Sequence, residues 1–131
     1  MAPQVPYAAM RRAATLTNFG RPDLALEVLE HLREVNPAEP HLQSAYPHSL
    51  LHGARVLMQR QEWPRAEQAL RRLIEVEPLS VEAWNNLGVL LARTERPREA
   101  RAAWERALTL DPSSDAVRQN LERLRRRPGS P

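Results

Sequence analysis

The chain has no cysteine and no lysine, and among its 131 residues there are four glycines and six aromatic side chains from Phe, Trp and Tyr. Without cysteine there is no disulfide, no thiolate nucleophile and no Cys-ligated zinc, a usage compatible with a reducing cytoplasm. Without lysine, all 19 cations are arginines, a bias that reads as the stamp of a GC-rich bacterial genome. So few glycines leave no Gly-rich phosphate loop, and no G-x-S-x-G nucleophile elbow is present. No uncharged apolar run approaches the roughly 18 residues a membrane span requires. The opening MAPQVPYAAMRRAAT lacks a basic leader followed by a long apolar core, so no signal peptide is expected and the cytoplasm is the expected location.

Charge is uneven. The net charge is +3, and residues 113–131, with five arginines against two acids, carry an excess equal to all of it. The rest of the chain is neutral.

What is present is helical periodicity, clearest in VEAWNNLGVLLARTERPREARAAWERALTLDP at 81–112. Trp84, Leu87, Gly88 and Leu91 fall at i, i+3, i+4 and i+7, one stripe of a helix. Ala100, Ala103, Trp104, Ala107 and Leu108 form a second stripe. Only 94–96 separates the two, so the helices must run antiparallel. Both tryptophans, being on the stripes, are expected in the core. Gly88 and Ala100 are small where the two helices should cross closely, and Gly88→Leu is expected to overpack that crossing by about 1–3 kcal/mol.

The spacing W-x2-L-G-x2-L, then A-x3-W-x2-A, then Pro112, resembles the tetratricopeptide repeat (TPR), with Trp104 where Phe or Tyr is commoner. Stepping back 34 residues from Pro112 reaches Pro78. Ahead of it, Leu50, Gly53, Ala54 and Leu57 repeat the first stripe, and Ala66, Leu70 and Leu73 the second. Trp63-Pro64 opens the second helix of that pair as Arg96-Pro97 opens the next, proline being suited to a first turn that has no use for an N–H. A third pair ends at Pro37, with Ala25, Leu29 and Leu32 as its second stripe. Its first helix shows Ala9, Arg12, Ala13 and Leu16, a weaker stripe of the kind a terminal repeat tolerates.

Pro37 and Pro78 are 41 residues apart, seven more than the period. The excess falls in 39–47 and has two solutions. One is an irregular loop or short extra turn followed by a helix from Pro47. The other is a helix from Pro40 that kinks at Pro47, where the ring breaks a ladder bond. The first is the expectation, with 40–46 as an irregular insertion.

After Pro112, Ser113-Ser114-Asp115 supplies N-cap candidates. Val117, Leu121 and Leu124 then draw a narrow apolar line opposite Arg118, Glu122, Arg125 and Arg126, the pattern of a solvent-facing cap. The expected fold is therefore all-α, a right-handed α-solenoid of three TPR helix pairs plus a C-terminal capping helix. It forms a single domain over 1–127, with repeats at about 6–39, 47–80 and 81–114, the cap at about 115–127 and a disordered tail at 128–131.

Chemistry has little support. His48 and His52 stand at i, i+4, a chelating spacing, but the acid of H-E-x-x-H is missing and His41 falls on another segment; no metal and no cofactor are expected. Acid pairs such as Glu27 with Glu30 lie among exposed charges, without the apolar setting that lifts a carboxylate pKa. No enzyme activity is expected. The basic cluster Arg118, Arg123, Arg125, Arg126 and Arg127 offers an alternative role, contact with nucleic acid or another acidic partner. Phosphate binding wants a contiguous stripe on a basic domain, and a helix C-terminus favours cations in any case.

The TPR resemblance implies a concave groove lined by the first helix of each pair and holding a partner's peptide or helix. Positions off the packing stripe are then the candidates: Tyr7, Met10 and Arg11 in the first pair, and His48, Leu51, His52 and Arg55 in the second. The third offers Asn85, Asn86 and Val89, and the cap Gln119 and Arg123. Asn86 precedes Leu87-Gly88, where TPR peptide binders often carry an Asn that grips peptide backbone, an amide being both donor and acceptor. The family's carboxylate clamp is met only in part: Met10, Ala14 and Asn86 occupy clamp places, and the clamp cations of the first and third pairs are absent. The implied function is a protein-interaction adaptor or scaffold, chaperone-like in layout, since small type III secretion chaperones have a similar three-repeat plan. Three repeats approach the minimum for a stable stack, so self-association through the weak first helix is a further expectation.

Overall fold

A computed structural model of the chain describes residues 4–127, and side chains from residue 8 onward except Asp23. The tail at 128–131 and the side chain of Tyr7 lie outside the described residues. Seven helices follow one another: α1 (Gln4–Asn18), α2 (Pro22–Val35), α3 (Pro40–Gln59), α4 (Trp63–Val76), α5 (Val81–Arg93), α6 (Pro97–Leu110) and α7 (Asp115–Arg126). No strand occurs among the described residues. The fold is all-α and built of helix pairs.

Two kinds of turn recur. Within each pair the turn spans three residues, 19–21, 60–62 and 94–96. It closes with the C″ amide reaching back to the C3 carbonyl: Arg21 to Leu16 (2.7 Å), Glu62 to Leu57 (2.9 Å) and Arg96 to Leu91 (2.9 Å). Such a closure needs a left-handed residue at C′, supplied by Gly20 (φ 76°), Gln61 (59°) and Glu95 (60°). Between pairs the connection spans four residues, 36–39, 77–80 and 111–114. Each carries proline second and an N-cap fourth, and each is closed by the fourth amide bonding the first carbonyl at 3.1–3.2 Å. Ser80 and Ser114 cap α5 and α7 in the same way, accepting from Ala83 (3.2 Å) and Val117 (3.4 Å).

Because every connection keeps its length, the seven extra residues have nowhere to go but into a helix. α3 starts at Pro40 and runs through Pro47, so the expected irregular insertion at 40–46 and a repeat start at 47 are both incorrect. Glu39 is the N-cap, its carboxylate accepting from the His41 amide, and Pro40 takes the first helical position. Seven residues make nearly two full turns, so the apolar stripe stays in phase as Leu42, Tyr46 and Leu50, all buried. The Pro47 ring removes one ladder bond to the carbonyl of Gln43, a residue exposed to water.

Contacts divide the chain into two compact units, Met1–Ala69 and Leu70–Pro131, with the boundary inside α4. In the first, α1 packs on α2, α2 on α3, and α1 also meets α3. Ala13, Ala25, Leu29, Leu32, Leu50 and Leu57 supply its core. Gly53 marks the close crossing, since a Cβ there would lie 3.3 Å from Cβ of Pro22. The added turns of α3 are tied to α2 by Tyr46, whose hydroxyl donates to Glu30. The Arg33 guanidinium lies 4.5 Å from the centre of the Tyr46 ring and bonds its oxygen at 3.3 Å.

In the second unit α6 packs on both α5 and α7, and α5 meets α7. Ala83, Leu87, Leu91, Ala100, Trp104 and Ala107 fill the space between α5 and α6, and Val117 and Leu124 seat the cap. Trp104 is in the core, as its stripe requires. Trp84 is only half-buried, a correction to its expected place. It stands in the first turn of α5, where its ring reaches back over the 77–80 connection and its Nε1–H donates to the Pro78 carbonyl at 3.0 Å.

Candidate functional site

In the first unit the candidates sit on α1 and α3. Met10 is half-buried, Arg11 and His48 are exposed, and all three line one cleft of about 660 Å³. Sequence reasoning missed the other walls. Leu29 of α2, counted only as core, forms part of the floor, with Ala14 and Ala45 beside it. Glu39, His41 and Ser49 complete the lining, and an irregular insertion at 40–46 gives no sign that His41 and Ala45 face it. Leu51 and His52 are half-buried and Arg55 exposed farther along α3, and none of the three lines the cleft.

The cleft is mostly apolar, with its polar groups at the rim. There the His41 ring Nδ1 lies 2.7 Å from Glu39 Oε1, and the His41 amide donates to the same oxygen at 3.2 Å. The side-chain bond from His41, then the amide bond, hold the Glu39 carboxyl below the usual carboxylate range against an opposing effect of burial. Among the described residues no group of three or more His, Asp or Glu side chains is placed to hold a metal.

In the second unit the candidates sit on α5 and α7. Asn85 has a packing role: its carbonyl accepts the Trp104 Nε1–H (3.1 Å), and its side-chain oxygen accepts from Asn120 of α7 (3.0 Å). Asn120, absent from the sequence-derived set, was one residue from Gln119, the position chosen. Asn86 differs. Its Nδ2 is buried and finds no hydrogen-bond partner among the described residues, leaving two donors without an acceptor. Val89 is half-buried, and Gln119 and Arg123 are exposed.

The basic cluster on α7 is partly neutralised. Arg118 pairs with Asp115, Arg126 with Glu122 (3.2 Å) and Arg127 with Glu95 (3.5 Å). No described helix is long and apolar enough to cross a membrane.

Helix pairs that repeat the same three-residue turn and the same four-residue connection, with polar atoms left on the first helix of a pair, define a helical-repeat protein. Residues 52–115 match the tetratricopeptide repeat family. Among solved structures, the first TPR domain of Spaghetti (RPAP3) bound to the HSP90 peptide SRMEEVD superposes with a TM-score of 0.64 at 16% identity, covering 92% of this chain and 90% of that one. The Arabidopsis OM64 TPR domain gives 0.65 at 17% identity, covering 93% and 95%. Residues 52–115 are therefore tetratricopeptide-repeat sequence, and the chain as a whole shares the fold of these solved domains. It is also 30% identical over 117 residues, 88% of its length, to a peroxisomal targeting signal receptor of Kluyveromyces lactis, and spans 20% of that protein.

Proposed function

We propose that this chain is a protein–protein interaction module, an adaptor or chaperone-like holder without chemistry of its own. Each unit offers a partner segment a face of its own, α1 and α3 in the first and α5 and α7 in the second. The observation that carries this reading is Asn86. A buried amide without a partner costs on the order of 1–3 kcal/mol, and such a group in a native fold calls for an explanation. A rotation of this half-buried side chain would carry its two donors to a peptide carbonyl, the acceptor they lack. The apolar cleft beside Met10 and His48 supports the same reading, as does the HSP90 peptide held by the first TPR domain of Spaghetti.

Screening wild type and Asn86→Ala on one array of random 15-residue peptides, then titrating the retained peptides by fluorescence anisotropy, tests the reading. Asn86→Ala should weaken binding by about tenfold without lowering the melting temperature, because it deletes an unsatisfied donor. Retained peptides that bind Asn86→Ala as tightly as wild type, or an array with no retained peptide, would overturn it.

A further inference from the structure

Repeat positions that are polar or small in the later pairs turn apolar in the first. Leu24 stands just before the stripe residue Ala25, where the other two second helices carry Arg65 and Glu99. Val28 takes the place of Ala69 and Ala103, both 4% exposed, yet is itself only half-buried. Phe19 opens the α1–α2 turn where Arg60 and Thr94 open the others. In the second unit Glu99 reaches Arg71 of α4 at 3.6 Å, so this flank of a second helix is the one a preceding helix pair meets. On α2 the same flank is open.

The open face spans both helices of the pair. Leu24, Val28, His31 and Val35 fall at i, i+4, i+7 and i+11 along α2. Arg12, Leu16 and Phe19 fall at i, i+4 and i+7 along α1, on the side away from the Met10 and Ala14 that line the cleft. Leu16 is half-buried, whereas Leu57 and Leu91, which accept the same turn closure, are each 2% exposed. Phe19 at 81% and Val35 at 61% are two of the three large apolar side chains left exposed among the described residues. A terminal repeat that ends in water needs a polar outer face. The outer face of α7 meets that need, with Arg118, Glu122, Arg125 and Arg126 exposed, and the face of α1 and α2 does not.

We infer that this face is a homodimer interface, joining a second copy of the chain through a two-fold axis that runs along the helices. Charge argues for that occupant. Arg12 flanks the apolar strip on α1, and Glu27 flanks it on the far edge of α2. Both are exposed, and neither has an ionic or hydrogen-bonded partner among the described residues. Arg12 and Val28 stand equally far along the chain from Gly20, so Arg12 and Glu27 lie at about one height on the two antiparallel helices. A two-fold axis along the helices lays α1 of each copy on α2 of the other at matching height. Arg12 of each copy then arrives at Glu27 of its partner, with the apolar strips closed between them. Each copy supplies the counter-charge the other lacks, which fixes the register of the pair. The strip lies on the side of α1 away from the α1–α3 cleft, so the inference stands apart from the interaction reading.

Sedimentation velocity of the full chain over a range of concentrations tests the interface. Wild type should sediment as a dimer that dissociates on dilution. Phe19→Asp and Val35→Asp, both at exposed positions, should each weaken dimerisation by about tenfold or more, with helical circular dichroism unchanged. Charge reversal then reads the geometry. Arg12→Glu alone and Glu27→Arg alone each set like charges against one another, and both should dissociate at higher concentration than wild type. Mixed one to one, the two variants make only opposite-charge contacts and should regain the wild-type dimer. A wild type that is monomeric at every concentration overturns the second copy. A lowered melting temperature for Val35→Asp would then mean a cover from within the chain, and an unchanged one would leave the face to a different protein. A dimer indifferent to Phe19→Asp and Val35→Asp, or a mixture no more associated than its components, overturns this interface. Each of those failures leaves the interaction reading standing.

Discussion

A Cβ on Gly88 would lie 2.4–2.6 Å from three atoms of the Trp104 indole, closer than any van der Waals contact allows. The same edge of the ring is tied to α5, since its Nε1–H donates to the Asn85 carbonyl, so it cannot step aside without losing that bond. Gly88→Ala alone is therefore expected to destabilise by about 1–3 kcal/mol, read as a shift in the urea midpoint at unchanged m-value. A second residue-scale prediction concerns Glu39. Its carboxyl is held below the ordinary range by His41, so what it contributes to stability is present above the ordinary carboxylate pKa and is lost as pH falls through the lowered one. Wild type should melt above His41→Ala at neutral pH, and the two curves should converge in acid; a gap that persists or grows below the carboxylate range would contradict this. Gly88 and Trp104 were legible because they sit at fixed offsets of a recurring pattern. The orphan Nδ2 of Asn86 was not, because whether an amide finds a partner depends on neighbours from other elements.

At the scale of the element, α3 is the informative case. The turn sequences Asn36-Pro37-Ala38-Glu39, Glu77-Pro78-Leu79-Ser80 and Asp111-Pro112-Ser113-Ser114 align with one another, and an N-cap two residues after each proline was there to be read. What drew the reading away was Pro47, a residue that usually ends a helix. Burial of Leu42 and Tyr46 on the added turns outweighs the missing ladder bond. Replacing that proline should expose the local cost. Removing the interior helix penalty of about 3 kcal/mol, less the lost packing of a buried ring and the gain in unfolded-chain freedom, predicts that Pro47→Ala stabilises by about 1 kcal/mol. A lower melting temperature for Pro47→Ala would mean that the ring's packing dominates.

For the molecule as a whole, the helical repeat was readable because its period, stripes and prolines must coincide at many positions. The candidate site was half readable. Met10, Arg11 and His48 came out on one cleft, since first-helix positions off the stripe follow from the period. Its remaining walls depend on where α3 begins, and Leu29 serves both as core and as floor. Asn85, a first-helix position off the stripe, is spent on holding α5 to α6 and α7. The account's central claim is that a first-helix face, that of α1 and α3 in the first unit or that of α5 and α7 in the second, holds a partner's segment. The most direct measurement is amide chemical-shift mapping of the isotope-labelled chain, saturated with a peptide retained on the array. The account predicts shifts concentrated on α5 and α7, including the Asn86 side-chain amide, or on α1 and α3. Shifts confined to α2, α4 and α6, with that amide unmoved, would contradict it.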